Sequence, residues 1–147
     1  MRKVLIGITF LFLTSVMNPL TVLGDEDHLI RNCLEQFFTA LKSGNVTAIE
    51  SAIGGDILKE SKVLLRDNKE YGNFLRKYYH GAEFHIDKIL QVPGGAVVDV
   101  SVIFSKDEIQ RFQYFLSKEN KDKKNDPKWT IVRQEDLLTS NKPCGHK

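Results

Sequence analysis

The sequence predicts an α+β fold, in which N-terminal helices pack on a curved antiparallel sheet. Apolar residues recur at a spacing near 3.6 as far as Gly81 and at a spacing of 2 beyond it. Glycines at 44, 54, 55 and 81 separate the helical stretches, and Pro93-Gly94-Gly95 sits between two alternating runs. Helices followed by a meander of strands bury their apolar faces best as a helical layer on one face of the sheet.

Residues 1–24 read as a separate object, a signal peptide. Arg2 and Lys3 precede an apolar run of 14 residues, Val4 to Met17, and Asn18-Pro19 then interrupts any helix. Val22-Leu23-Gly24 ends on a small residue suited to cleavage. The run is shorter than the ~18–20 residues of a spanning helix, which disfavours an uncleaved anchor. No cysteine lies near the cut, so a lipid anchor there is not expected either. Cleavage after Gly24 leaves 123 of the 147 residues, 25–147, one domain's worth, with a flexible tail from about 137. The leader takes two of the 21 basic residues with it, so the mature chain balances 19 against 19 acidic ones. A neutral domain has no global attraction for nucleic acid or anionic lipid, and neither a nucleic-acid partner nor a stable membrane anchor after cleavage is expected.

The first helix carries Ile30, Cys33, Leu34, Phe37, Phe38 and Leu41 on one stripe, with Asp25, Glu26 and Asp27 at its positive end. Gly44 stops it, and Asn45 caps a short second helix with Val46, Ile49, Ala52 and Ile53. A third helix starts at Asp56 with Ile57, Leu58, Ser61, Leu64 and Leu65 on one side. Tyr71, Phe74, Leu75 and Tyr78 repeat the spacing. In the first strand, Phe84, Ile86, Leu90 and Val92 alternate with Glu83, His85, Asp87 and Gln91, and Lys88 interrupts the apolar face. Val98 to Phe104 forms the second strand and Phe112 to Leu116 the third. In the fourth, Trp129, Ile131 and Arg133 face away from Thr130, Val132 and Gln134. The mixed charges of Ser117 to Lys128 make a solvated loop rather than a basic docking loop.

Two cysteines, Cys33 and Cys144, fit one disulfide in an exported chain, closing a loop worth about 4–5 kcal/mol in the chain-entropy model. Two free thiols, with Cys33 buried as a small apolar residue, are the alternative. Cys144 and His146 amount to half a metal site, and the remaining histidines are scattered. Asn45-Val46-Thr47 matches a glycosylation sequon. The sequence holds no Gly-rich phosphate loop, no Cys-x-x-Cys and no Gly-x-Ser-x-Gly, and no cofactor is expected.

The run CLEQFFTALKSGNVTAIESAI and the closing KWTIV resemble the NTF2-like superfamily of cone-shaped domains over residues 26–136. A cystatin-like fold is the second choice; three helical segments ahead of the sheet favour the first. The resemblance implies a pocket between the helices and the concave sheet, and a short strand among the helices that the sequence does not locate. It also implies a family that mixes isomerases, dehydratases and hydrolases with modules that only bind, so fold alone does not choose.

The candidate pocket residues are Tyr71, Tyr78, His85, Asp87, Asp99 and Trp129. His85, Asp87 and Asp99 share the polar side of the first two strands, where a pocket carboxylate acts as a base if that side is the inner one. Alternation equally allows that side to face solvent. Tyr71, Tyr78 and Tyr79 offer hydroxyl donors, or aromatic bodies packed in a core. The expected function is that of an exported, non-catalytic domain binding a small apolar ligand or a protein partner, with a homodimer through the sheet as one possibility. The alternatives are a cofactor-free isomerase or hydrolase using Asp99 or Asp87 as base, and a cystatin-like inhibitor wedging residues 91–95 into a protease.

Overall fold

A computed structural model describes residues 23–105, 108–119 and 128–137. Residues 1–22 of the expected leader, 120–127 of the polar loop, and the tail from 138 with Cys144 lie outside them. The described chain runs α1 Leu23–Ser43, α2 Val46–Ala52, α3 Gly55–Asp67 and α4 Tyr71–Tyr78, then β1 Glu83–Val92, β2 Gly95–Ser105, β3 Glu108–Glu119 and β4 Lys128–Asp136. This is the α+β order expected. The strands form one antiparallel sheet in the order β1-β2-β3-β4.

The apolar stripe of α1 is the keel of the core, with Ile30, Leu34, Phe37, Phe38 and Leu41 all buried. The turn after α1 is tight for a local reason. Gly44 takes a φ of 67°, open to glycine at little cost, and a Cβ there would lie 2.0 Å from the Gly72 carbonyl oxygen at the start of α4. Asn45 then caps α2, its side-chain oxygen accepting from the Ala48 N–H at 3.1 Å. The strand that the resemblance placed among the helices is reduced to a single parallel bridge, Ile53 to Ile131 on β4. The other end of α1 is pinned to the sheet. Lys118 forms an ion pair with Glu26, and Gln91 donates to Asp27 at 2.7 Å.

The sheet turns its apolar face to the helices. Val98, Val100, Val102, Tyr114, Leu116, Trp129 and Ile131 are buried there, and Phe84 of β1 stacks on Phe38 at 4.3 Å between centroids. Two bulges correct the alternation read from the sequence. Ile86 pairs with Val100 and Lys88 with Asp99, so Asp87 is an extra residue and the phase of β1 reverses beyond it. Ile89 and Gln91 therefore take inner positions opposite Val98 and Ala96. Leu90 and Val92, expected beside Phe84 and Ile86, lie 51% and 40% exposed. In β4, Leu116 pairs with Ile131 but Phe115 with Arg133, so Val132 is the extra residue. Arg133 leaves the face of Trp129 and Ile131 and lies over the Phe115 ring at 3.8 Å. Gln134 turns inward opposite Tyr114.

Candidate functional site

Four helices and the far end of β4 enclose a cavity of about 240 Å3. Phe37 and Leu41 of α1, Ile49 of α2 and Leu75 of α4 line it. Ile53 at the end of α2 and Ile57 and Leu65 of α3 complete the apolar lining. Four polar groups interrupt this apolar lining: the Ser61 and Tyr71 hydroxyls, the Tyr79 phenol and the Gln134 amide. None of the described lining residues carries a charge.

The phenols are held protonated by their surroundings. Burial raises Tyr71 above its ordinary value, and burial, reinforced by Tyr78 and Tyr71, pushes Tyr79 up to about 12. Tyr114, fully buried beneath them, is raised chiefly by burial, with Tyr79 and Asp136 adding to it. At neutral pH these groups are hydrogen-bond donors and acceptors, not bases.

The structure separates the residues singled out in the sequence. Tyr71 lines the cavity. Tyr78 is two turns of α4 further on, 45% exposed, with its ring against Phe104 at 5.2 Å. His85, Asp87 and Asp99 belong to the solvent side of the sheet. His85 is exposed, with Nε2 3.5 Å from a Glu83 carboxylate oxygen. The Ser101 hydroxyl donates to Asp87 at 2.6 Å, and the Gln113 amide donates to Asp99 at 2.8 Å. Trp129 is buried at the opposite end of the core, beside a hollow of about 170 Å3 shared with Leu29, Asn32, Cys33 and Lys128. The Cys33 thiol donates to the Trp129 carbonyl at 3.4 Å, and burial pushes that thiol up to about 11, with Lys128 acting in the opposite direction. Among the described residues no group of three His, Cys, Asp or Glu side chains is placed to hold a metal.

Ser61 had a visible signal, a hydroxyl inside the otherwise apolar stripe of α3. Gln134 had none, because the bulge at Val132 that turns it inward leaves no mark in the local pattern.

No protein-family model and no curated protein matches the sequence. Among solved structures, the crystal structure of an NTF2-like protein of unknown function from Shewanella baltica OS155 is similar, with a TM-score of 0.52. It shares 20% identity over 78% of this chain and 94% of its own. The fold is NTF2-like, and at that identity the likeness carries the fold alone.

Proposed function

We propose that this is an exported domain that holds a small, uncharged ligand with an apolar body and hydrogen-bonding groups in the cavity between α3, α4 and β4, without acting on it chemically. The observation that carries this reading is a separation: the cavity lies on the helical side of the sheet, and Asp87 and Asp99 lie on the other. General-base chemistry needs a carboxylate or imidazole within hydrogen-bond reach of the substrate proton. The described cavity lining offers phenol, hydroxyl and amide groups instead. Apolar side chains surround the space, but more polar than apolar surface is turned into it, which suits a small uncharged ligand that combines an apolar body with several hydrogen-bonding groups. At about 240 Å3 the space falls below the ~300–1,000 Å3 typical of drug-sized ligands, so the ligand is small.

Titration of the mature protein with the neutral fluorophore N-phenyl-1-naphthylamine tests the reading. Saturable fluorescence enhancement is expected, and Ser61→Phe, which fills the cavity, should weaken it more than about tenfold while circular dichroism stays unchanged. Ile57→Phe, one turn earlier, is the second variant should the first perturb folding. Equal binding by wild type and both variants would place the probe elsewhere and remove the proposal. Export has its own test: intact mass of protein recovered from a secreting host should correspond to a chain starting at Asp25. Recovery with Met1 attached in the membrane fraction would overturn it.

A further inference from the structure

The face of the sheet turned away from the helices carries apolar side chains that a bulge places there. Without the extra Asp87, alternation would turn Leu90 and Val92 inward with Phe84 and Ile86; with it both are exposed on the outer face, and Gln91 takes an inner position. Leu90 pairs with Val97 and Val97 with Phe115, so three apolar residues stand side by side across three strands. Towards the other end of the sheet, Ile103 and the exposed Ile109 form a second apolar pair on the same face. Turning aliphatic side chains outward and an amide inward opposes the hydrophobic effect unless the outer face is itself covered.

The pattern across the strands fits a second copy of the same chain. From β1 to β4 one row reads Leu90, Val97, Phe115, Arg133, and the next reads Lys88, Asp99, Gln113, Glu135. The residues at both ends of these rows are the ones that the two bulges bring to this face. A two-fold axis parallel to the strands, between β2 and β3, lays β1 over the partner's β4 and β2 over its β3, and each row meets itself reversed. Lys88 then faces the partner's Glu135, Val97 the partner's Phe115, and Ile103 the partner's Ile109. Leu90 faces the partner's Arg133, whose guanidinium, stacked on Phe115 at 3.8 Å, offers a flat and weakly hydrated plane. Arg133 Nε lies 3.2 Å from one Glu135 oxygen, which leaves the other for the lysine. Asp99, already accepting from Gln113 at 2.8 Å, faces the partner's Gln113, so no carboxylate meets another. An axis across the strands through either row would instead set Lys88 on Lys88 or Arg133 on Arg133, and like charges oppose that arrangement.

We propose that two copies of this domain pair through the outer faces of their sheets, about a two-fold axis that runs along the strands between β2 and β3. Four strands ~4.8 Å apart and the ten residues of β1 at ~3.3 Å each make a face of about 19 by 30 Å. That is on the order of 600 Å2 in plan for each copy, somewhat under the ~800 Å2 per partner of a standard interface, so the dimer is reversible. Packed sheets cross at about 30°, and the resulting shift of about 4 Å at the outer strands is within the reach of a lysine side chain. The cavity, on the helical side of each copy, takes no part in the contact.

Sedimentation equilibrium of the mature full-length protein, in reductant so that no disulfide links two chains, tests the pairing. The mass should rise from that of one chain towards that of two between about 1 and 300 µM. Leu90→Ser, at an exposed position, should weaken association at least about tenfold while circular dichroism stays unchanged. Lys88→Glu alone and Glu135→Lys alone should each weaken it at least about fivefold, because like charges then meet twice in each homodimer. An equimolar mixture of these two variants should associate about as well as the wild type, since both contacts of the mixed dimer again join opposite charges. Recovery in the mixture requires the two positions to meet each other across the contact. A protein still monomeric at about 300 µM, or a dimer that Leu90→Ser leaves intact, overturns the proposal. So does a mixture that associates no better than its components, and so does a dimer dissolved by Phe74→Ser with Tyr78→Ser, which would put the contact on α4.

Discussion

Gly44 shows how much depends on a single hydrogen in place of a methyl. Its φ of 67° and its approach to the Gly72 carbonyl join the end of α1 to the start of α4, and so position one wall of the cavity. Gly44→Ala would place a Cβ 2.0 Å from that oxygen, a collision with backbone rather than with a mobile side chain. The variant should lose at least about 3 kcal/mol of stability in urea unfolding; a loss under about 1 kcal/mol would mean that the two turns separate easily. Cys33 makes a second test at this scale. Only the thiolate is alkylated, and burial holds the thiol at about 11 against an ordinary 9.0. In a Cys144→Ser background, iodoacetamide labelling followed by mass spectrometry should therefore keep accelerating between about pH 9 and pH 11. A rate that levels off near pH 9 would contradict the burial described.

The strands show what can and cannot be read from the sequence. Inner positions up to Ile86 followed directly from alternation, because one residue per pleat fixes the face. Beyond a bulge the same rule holds but the count restarts, and the sequence shows only a polar pair, Asp87-Lys88, where the restart occurs. That is why simple alternation puts Leu90, Val92, Arg133 and Gln134 on the wrong faces, while helices with unbroken stripes, such as α1, are legible in the sequence. Of the cavity, Tyr71 was legible as an aromatic on a helical stripe, and Gln134 was not. A deletion pair tests the bulge in β1. Removing Asp87 leaves every later partner in place and should cost under about 2 kcal/mol, mainly its bond with Ser101. Removing Ile89 restores the ladder only by turning Lys88 inward opposite Val98, and should cost more than about 3 kcal/mol. Equal losses in chemical denaturation would mean that the register is not fixed there.

For the molecule as a whole, three of the four tyrosines tie stability to alkaline pH. Tyr71, Tyr79 and Tyr114 hold their protons in the fold beyond the ordinary value of 10.0, Tyr79 to about 12. An unfolded chain releases the same protons near pH 10, so between about pH 10 and 12 the unfolded state binds fewer protons and gains on the folded one. The urea midpoint should be insensitive to these groups below about pH 9 and fall steadily from pH 10 to 12, with phenolate absorbance rising as helicity is lost. A midpoint unchanged to pH 12 would show that these phenols titrate alike in both states. The pinning of α1 to the sheet has a consequence in time rather than in space. Glu26 and its partner Lys118 stand 92 positions apart, and β4, which meets Ile53 through Ile131, is the last strand made. The β1–β2–β3 meander can zip up from neighbours in the chain, but the helix that it covers is synthesised first and closed over last. Until β4 is made, α1 has α2, α4 and the first strands as partners, but not the edge that carries Trp129 and Ile131. The part of its apolar stripe that this edge covers is therefore the last to leave water and the longest open to other chains.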